Sequence, residues 1–118
     1  MNVPATSEEK PLQQLPQKAM LNLLQSIPGW TIIHEDSMDK LMRSFIFENF
    51  SQVLAFTKLI EKLANKENHH PVVKSSWRKV TIYWWTHAIQ GIQEKDFQMA
   101  ESCTSLYEKI LKEEDLWG

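Results

Sequence analysis

The stretch Asn65-Lys66-Glu67-Asn68-His69-His70-Pro71 sets the order of the fold. Pro71 locks its own φ and holds the residue before it in an extended conformation, so a helix arriving from upstream has to end by His69. The approach is helical: Asn49 stands in a capping position three residues ahead of Gln52, and Phe50, Val53, Leu54, Ile60, Leu63 and Ala64 hold one apolar stripe. Lys58, Glu61, Lys62 and Lys66 fall mostly off that stripe. Downstream, Val72 to Trp77 and Val80 to Thr86 predict two strands joined by a tight turn at Arg78-Lys79. The second strand places Val80, Ile82 and Trp84 on one face and Thr81, Tyr83, Trp85 and His87 on the other.

Further out, the same pattern repeats on the N-terminal side. Trp30 to His34 is rich in aromatic and β-branched types, Glu35 to Asp39 supplies turn formers, and Lys40 to Phe47 places Leu41, Phe45 and Phe47 on one face with Arg43 between them. This predicts an antiparallel hairpin. Before it, Met20, Leu21, Leu24 and Ile27 recur at helical spacing from Gln17 until Pro28-Gly29 stops the pattern. After Gly91, Glu94 and Asp96 place two acids in the first turn of a last helix with Phe97, Ala100, Cys103 or Thr104, Tyr107 and Ile110 as its stripe. The order is α-β-β-α-β-β-α, an α+β fold with a four-stranded antiparallel sheet and helices packed on one face. Residues 1–15 carry Pro4, Pro11 and the run Ser7-Glu8-Glu9-Lys10, and predict a flexible tail ahead of a single domain over 16–118.

Bulk properties exclude several function classes. The chain has 118 residues, 42% of them hydrophobic and 24% charged, which is one ordinary globular domain. A net charge of −2 offers no footprint for nucleic acid or an anionic membrane. No apolar run approaches the roughly 20 residues needed to span a bilayer, and Met1 to Lys18 has prolines and charges where a signal peptide is apolar. Cys103 stands alone, so no intrachain disulfide forms, and its place among apolar helix positions predicts a small core side chain in a cytoplasmic protein. The three glycines, Gly29, Gly91 and Gly118, build neither a P-loop nor a dinucleotide fingerprint.

The chemistry concentrates in histidine, the side chain best poised to move protons near neutrality. Three of the four lie in two short segments, His69 and His70 before Pro71, and His87 at the end of the last predicted strand. Adjacent residues of an extended chain point to opposite faces, and no H-x-x-x-H or H-E-x-x-H spacing is present, which argues against a shared metal. Spacing alone leaves two readings open, an acid/base site or structural surface histidines. Trp84 reads as core, whereas Trp30, Trp77 and Trp85 fit core, pocket wall or subunit contact equally. Asp96 by itself reads as a helix-dipole partner.

The run N-K-E-N-H-H-P, followed by Trp77, by Thr86-His87 and by G-I-Q-E-K-D from Gly91 to Asp96, resembles the pterin-4α-carbinolamine dehydratase family. The likeness extends through Pro28-Gly29-Trp30 and through Phe45 to Phe50, covering about residues 20 to 112. It implies the same α+β fold and the dehydration of a 4a-hydroxytetrahydropterin to quinonoid dihydropterin, with no cofactor and no metal. By motif position, His69 and His87 correspond to proton donors for the departing hydroxyl, and His70 to a group that binds the pterin and assists at N5. Pro71 and the backbone of Thr86, His87, Ala88 and Ile89 are the expected holders of the ring edge, with Asn65, Glu67, Trp30 and Asp96 as auxiliary candidates. The implied partners are the pterin and further copies of the chain, as a homodimer or homotetramer.

Three positions depart from the family pattern. Asn65 stands where a Glu is common, Ala88 where an acid often follows Thr-His, and Trp77 where Tyr is usual. A carboxylate orients and charges a neighbouring imidazole, so its loss lowers activity unless Glu67 takes over. The alternative is a catalytically weak member that serves as an oligomeric interaction module.

Overall fold

A computed structural model describes residues 13–113. Its elements are α1 (Gln17–Leu24), β1 (Thr31–Glu35), β2 (Met38–Ile46), α2 (Phe50–Glu67), β3 (Val72–Ser75), β4 (Lys79–Trp84), a 3-10 turn (His87–Ile89) and α3 (Glu94–Lys112). The strands form one antiparallel sheet in the order β1-β2-β4-β3, so the two hairpins join through their inner strands. The α+β expectation holds in class, order and sheet type. Most of the expected tail lies outside the described residues. Within them, Leu15 N–H donates to the Ile92 carbonyl and Gln14 Oε1 accepts from the Ile92 N–H.

The helix-bearing face of the sheet carries the core. Leu41 and Phe45 of β2 and Val80, Ile82 and Trp84 of β4 are fully buried against Val53, Phe56 and Ile60 of α2 and Phe97, Ala100 and Cys103 of α3. Burying one such large apolar side chain stabilises the fold by about 2–3 kcal/mol. The stripe of α2 is therefore Val53, Phe56, Ile60 and Ala64, while Phe50 and Leu54, expected inside, are 52% and 53% exposed. Four residues apart, they share a face of α2 turned away from the sheet, while Gln52 and Val53 in the same turns are fully buried. Leu21 of α1 is likewise outside, and Met99 of α3 is a core residue the expected stripe omitted. Cys103, not Thr104, fills the core position; burial pushes its thiol up to about 12.

Both turns are tighter or shifted from expectation. Asp36 and Ser37 alone close the first hairpin at φ 54° and 63°, the left-handed pair of a primed turn, so Met38 and Asp39 belong to β2. The second turn is centred on Trp77-Arg78, with Ser76 N–H donating to the Lys79 carbonyl at 2.8 Å. Phe47 N–H donates to the Arg78 carbonyl and Arg78 Nε returns a bond to the Phe47 carbonyl, which holds the turn one residue earlier than expected. Asn49 caps α2 as predicted, accepting from Gln52 N–H, while the Gln52 side chain accepts from Glu48 N–H.

Candidate active site

The helix-to-strand junction is shaped by a residue the sequence reading passed over. Asn68 takes a left-handed conformation at φ 51°, one that asparagine tolerates better than most, and His69 N–H closes back onto the Ala64 carbonyl at 3.1 Å. This ends α2 and turns His69 and His70 away from the helix axis in different directions.

His69 turns inward. Its ring stacks on Trp84 at 5.6 Å and 15°, and Nε2 meets Asp96 Oδ1 at 2.7 Å. Asp96 is fully buried at the start of α3, where Oδ2 accepts from Thr86 Oγ1 at 2.7 Å and Gln93 N–H at 2.8 Å. Gln93 and Asp96 form a reciprocal capping box. Asp96 is thus the helix-end partner its position suggested and also the acceptor that orients His69. Trp84 is anchored in turn by its indole N–H, which donates to Cys103 Sγ at 3.2 Å.

His70 turns outward and is exposed, its Nε2 within 3.0 Å of Asn65 Oδ1. An amide oxygen only accepts, so Nε2 carries the proton and Nδ1 is the lone-pair nitrogen when the ring is neutral. His87 arrives from the other side at the head of the 3-10 turn, which is closed by Thr86 N–H on the Gly91 carbonyl at 2.7 Å. Its ring lies on Trp85 at 4.6 Å and 2°.

These three histidines meet on one cavity of about 280 Å3, lined by Asn68, His69, His70, Thr86, His87 and Ala88. Of the other candidates, Pro71 and Asn65 line an adjoining cavity that shares His70, and Ile89 shares the turn without reaching the wall. Glu67 is turned away to an ion pair with Lys95, whose ammonium holds its carboxyl below the usual range; it does not replace the missing acid beside His70. Trp30 is core: it packs edge-on against Phe45 and its indole N–H donates to Thr104 at 3.0 Å, remote from the cavity. Trp77 is 64% exposed at the far turn, neither core nor cavity wall. The fourth histidine, His34, pairs with Asp39 outside the site. A wider groove of about 530 Å3 between α2 and α3, with Leu59, Leu63 and Leu106 in its walls, contains none of this chemistry.

Thr86, Trp84 and Trp85 owe their part in the site to contacts between elements, which spacing along the chain does not display. What the assembly offers is a carboxylate-oriented imidazole and two further imidazoles around a space open to a small molecule, the elements of general acid–base catalysis.

A family model described as pterin 4 alpha carbinolamine dehydratase matches residues 13–106. A protein of Chlorobium luteolum named "Putative pterin-4-alpha-carbinolamine dehydratase" is 39% identical over 99 residues, covering 84% of this chain and 87% of the relative. One of the same name from Marinobacter nauticus is 44% identical over 85 residues, covering 72% and 77%. Among solved structures, a transcriptional coactivator/pterin dehydratase from Brucella melitensis superposes with a TM-score of 0.73 at 28% identity, covering 80% of this chain and 98% of that one. A pterin dehydratase-like protein described as a RuBisCO assembly factor in the alpha-carboxysome shares the fold at a TM-score of 0.59 and 19% identity, over 67% and 89% of the chains. With its signature histidines gathered on one cavity and the family model matched across most of its length, the chain belongs to the pterin 4 alpha carbinolamine dehydratase family.

Proposed function

We propose that the protein dehydrates 4a-hydroxytetrahydropterin to quinonoid dihydropterin and water by histidine acid/base catalysis. The observation that carries this reading is the convergence of His69, His70 and His87 on one cavity, with His69 bonded to the buried Asp96. In the reaction the C4a–O bond breaks and the hydroxyl leaves as water after taking a proton. The N5–H proton departs, and its electron pair forms the C4a=N5 bond. No electrons are gained or lost overall, so no redox partner enters the balance.

His69, oriented by a carboxylate, suits the donor to the hydroxyl, with His87 as the second donor. His70 has its proton on Nε2 toward Asn65, which leaves Nδ1 with the lone pair a proton acceptor at N5 needs. Pro71 and the backbone from Thr86 to Ala88 hold the heterocycle's amide-like edge, whereas Ile89 does not reach the wall and spends its N–H on the Thr86 carbonyl. The test generates the 4a-hydroxypterin with an aromatic amino acid hydroxylase and follows dihydropterin by absorbance. Acceleration over the spontaneous reaction is expected, and none would overturn the proposal.

The second reading, a weakly active member serving as an interaction module, is favoured by Asn65 holding His70 where a carboxylate is usual. For either reading we propose a homodimer or homotetramer in the cytoplasm. Support for association comes from the exposed Val73 on edge strand β3, Trp77 at the β3–β4 turn, and the exposed Ile46, Phe50 and Leu54 at the end of β2 and the start of α2. Among the described residues no helix is long and apolar enough to cross a membrane.

A further inference from the structure

The three site histidines are held by three different means. A carboxylate grips His69 and an amide oxygen grips His70, but among the described residues no protein hydrogen bond holds the ring of His87. Its plane is set by the parallel stack on Trp85 at 4.6 Å. A stack fixes the orientation of an imidazole without occupying either nitrogen, so both remain available to a substrate.

Trp85 is itself set by a charge. The strand register that pairs Leu41 with Trp84 brings Lys40 opposite Trp85, and the Lys40 ammonium lies 4.4 Å from the centre of the indole. Only 6% of the Lys40 side chain is exposed, and Glu35 Oε1 and Asp36 Oδ2 hold its ammonium at 3.1 and 3.2 Å. Burial works against that charge, but the bonds to Glu35 and Asp36 outweigh it and leave the Lys40 pKa raised. A line of contacts therefore runs from the β1–β2 turn through Lys40 and Trp85 to His87. It lies on the sheet face opposite the helices, where a half-buried indole has no core to stabilise.

We infer that Trp85, backed by Lys40, is the positioning residue for His87. The inference rests on the reading of His87 as a proton donor in the dehydration. It predicts that loss of the indole lowers the chemical step more than substrate binding, and that any flat ring at position 85 restores it.

The test compares Trp85→Ser, Trp85→Phe and Lys40→Met with the native protein, by steady-state kinetics and by the imidazole C–H resonances of His87. Stacked at 4.6 Å, the indole ring current is expected to move those resonances upfield in the native protein. Trp85→Ser is expected to shift them back and lower kcat roughly three- to tenfold, with KM within about twofold. Trp85→Phe is expected to keep the upfield position and at least about half of kcat. Lys40→Met leaves the indole in place and is expected to move the resonances partway with a smaller loss of kcat, which carries the test if Trp85→Ser does not fold. Resonances that stay put, or an unchanged kcat after they move, overturn the inference. Should the native protein show no dehydratase activity, the functional reading fails by itself. The resonance shift then still tests the stack, and its absence refutes it.

Discussion

The two walls of the cavity are built from neighbouring residues by opposite means. On the inner wall, the His69 side chain is 15% exposed, stacked on Trp84 and bonded to a carboxylate that also ties down Thr86 and the start of α3. On the outer wall, His70 is exposed and held by the single amide of Asn65, and His87 by its stack on Trp85. Under the proposed function the inner wall joins chemistry to stability, since its polar groups are largely buried and each needs the others as partners. Under the same function the outer wall carries chemistry with little of the fold depending on it. Adjacent positions in the chain can therefore differ sharply in what their loss costs.

Asp96→Ala should produce the largest effect. It strands the Thr86 hydroxyl, the Gln93 N–H and His69, so stability should fall by about 3 kcal/mol in urea unfolding and turnover by about a hundredfold. His70→Ala should cost turnover by a similar factor of about 100 while unfolding free energy stays within about 0.5 kcal/mol. Equal losses of stability in the two variants would erase the distinction between the walls. Asn65→Glu places on the outer wall the carboxylate that the inner wall already has. If the amide limits catalysis, kcat should rise by about threefold or more with no change in thermal midpoint. An unchanged kcat would mean that the amide serves His70 as well as an acid.

Two smaller effects mark the edges of the inner wall. Cys103 lies beneath Trp84 with its thiol pushed up to about 12, so it should not react with a thiol reagent at pH 8 until the protein unfolds. Rapid labelling of the native protein would show that this side of the site opens. Glu67 pairs with Lys95 between the ends of α2 and α3, and the hydrogen bond from that ammonium lowers its pKa. A carboxyl lowered in the fold adds stability above its unfolded value, about 4.3, and loses that contribution as pH falls through its folded value. The native protein should thus lose slightly more thermal stability than Glu67→Gln on going from pH 5 to pH 3. Identical losses would mean the pair is inert.

Much of this was legible in the sequence because it is local. A proline after a histidine pair ends a helix wherever it stands, alternation in Leu41 to Phe47 and Val80 to Trp84 sets which face is buried, and Asn49 with Gln52 marks a helix start. The errors lie where local pattern competes with coverage. Phe50 and Leu54 are apolar and at helical spacing but lie on a face of α2 turned from the sheet, beside the buried Val53, and the first turn shortens because Asp36 and Ser37 both accept left-handed φ. The motif resemblance gathered His69, His70 and His87, yet it offered Glu67 as a substitute acid that in fact faces Lys95.

The order of elements, the face the inner strands bury, the buried cysteine and the histidine segments followed from the sequence alone, since periodicity and backbone restriction act within a few residues. The tertiary structure decided which partner each histidine has: Asp96 for His69 across 27 positions, Asn65 for His70 across five, and Trp85 with Lys40 behind His87. Such pairings depend on the angle at which a helix end meets a strand end and on strand register. These are set by packing of the whole core, which no single stretch of sequence contains.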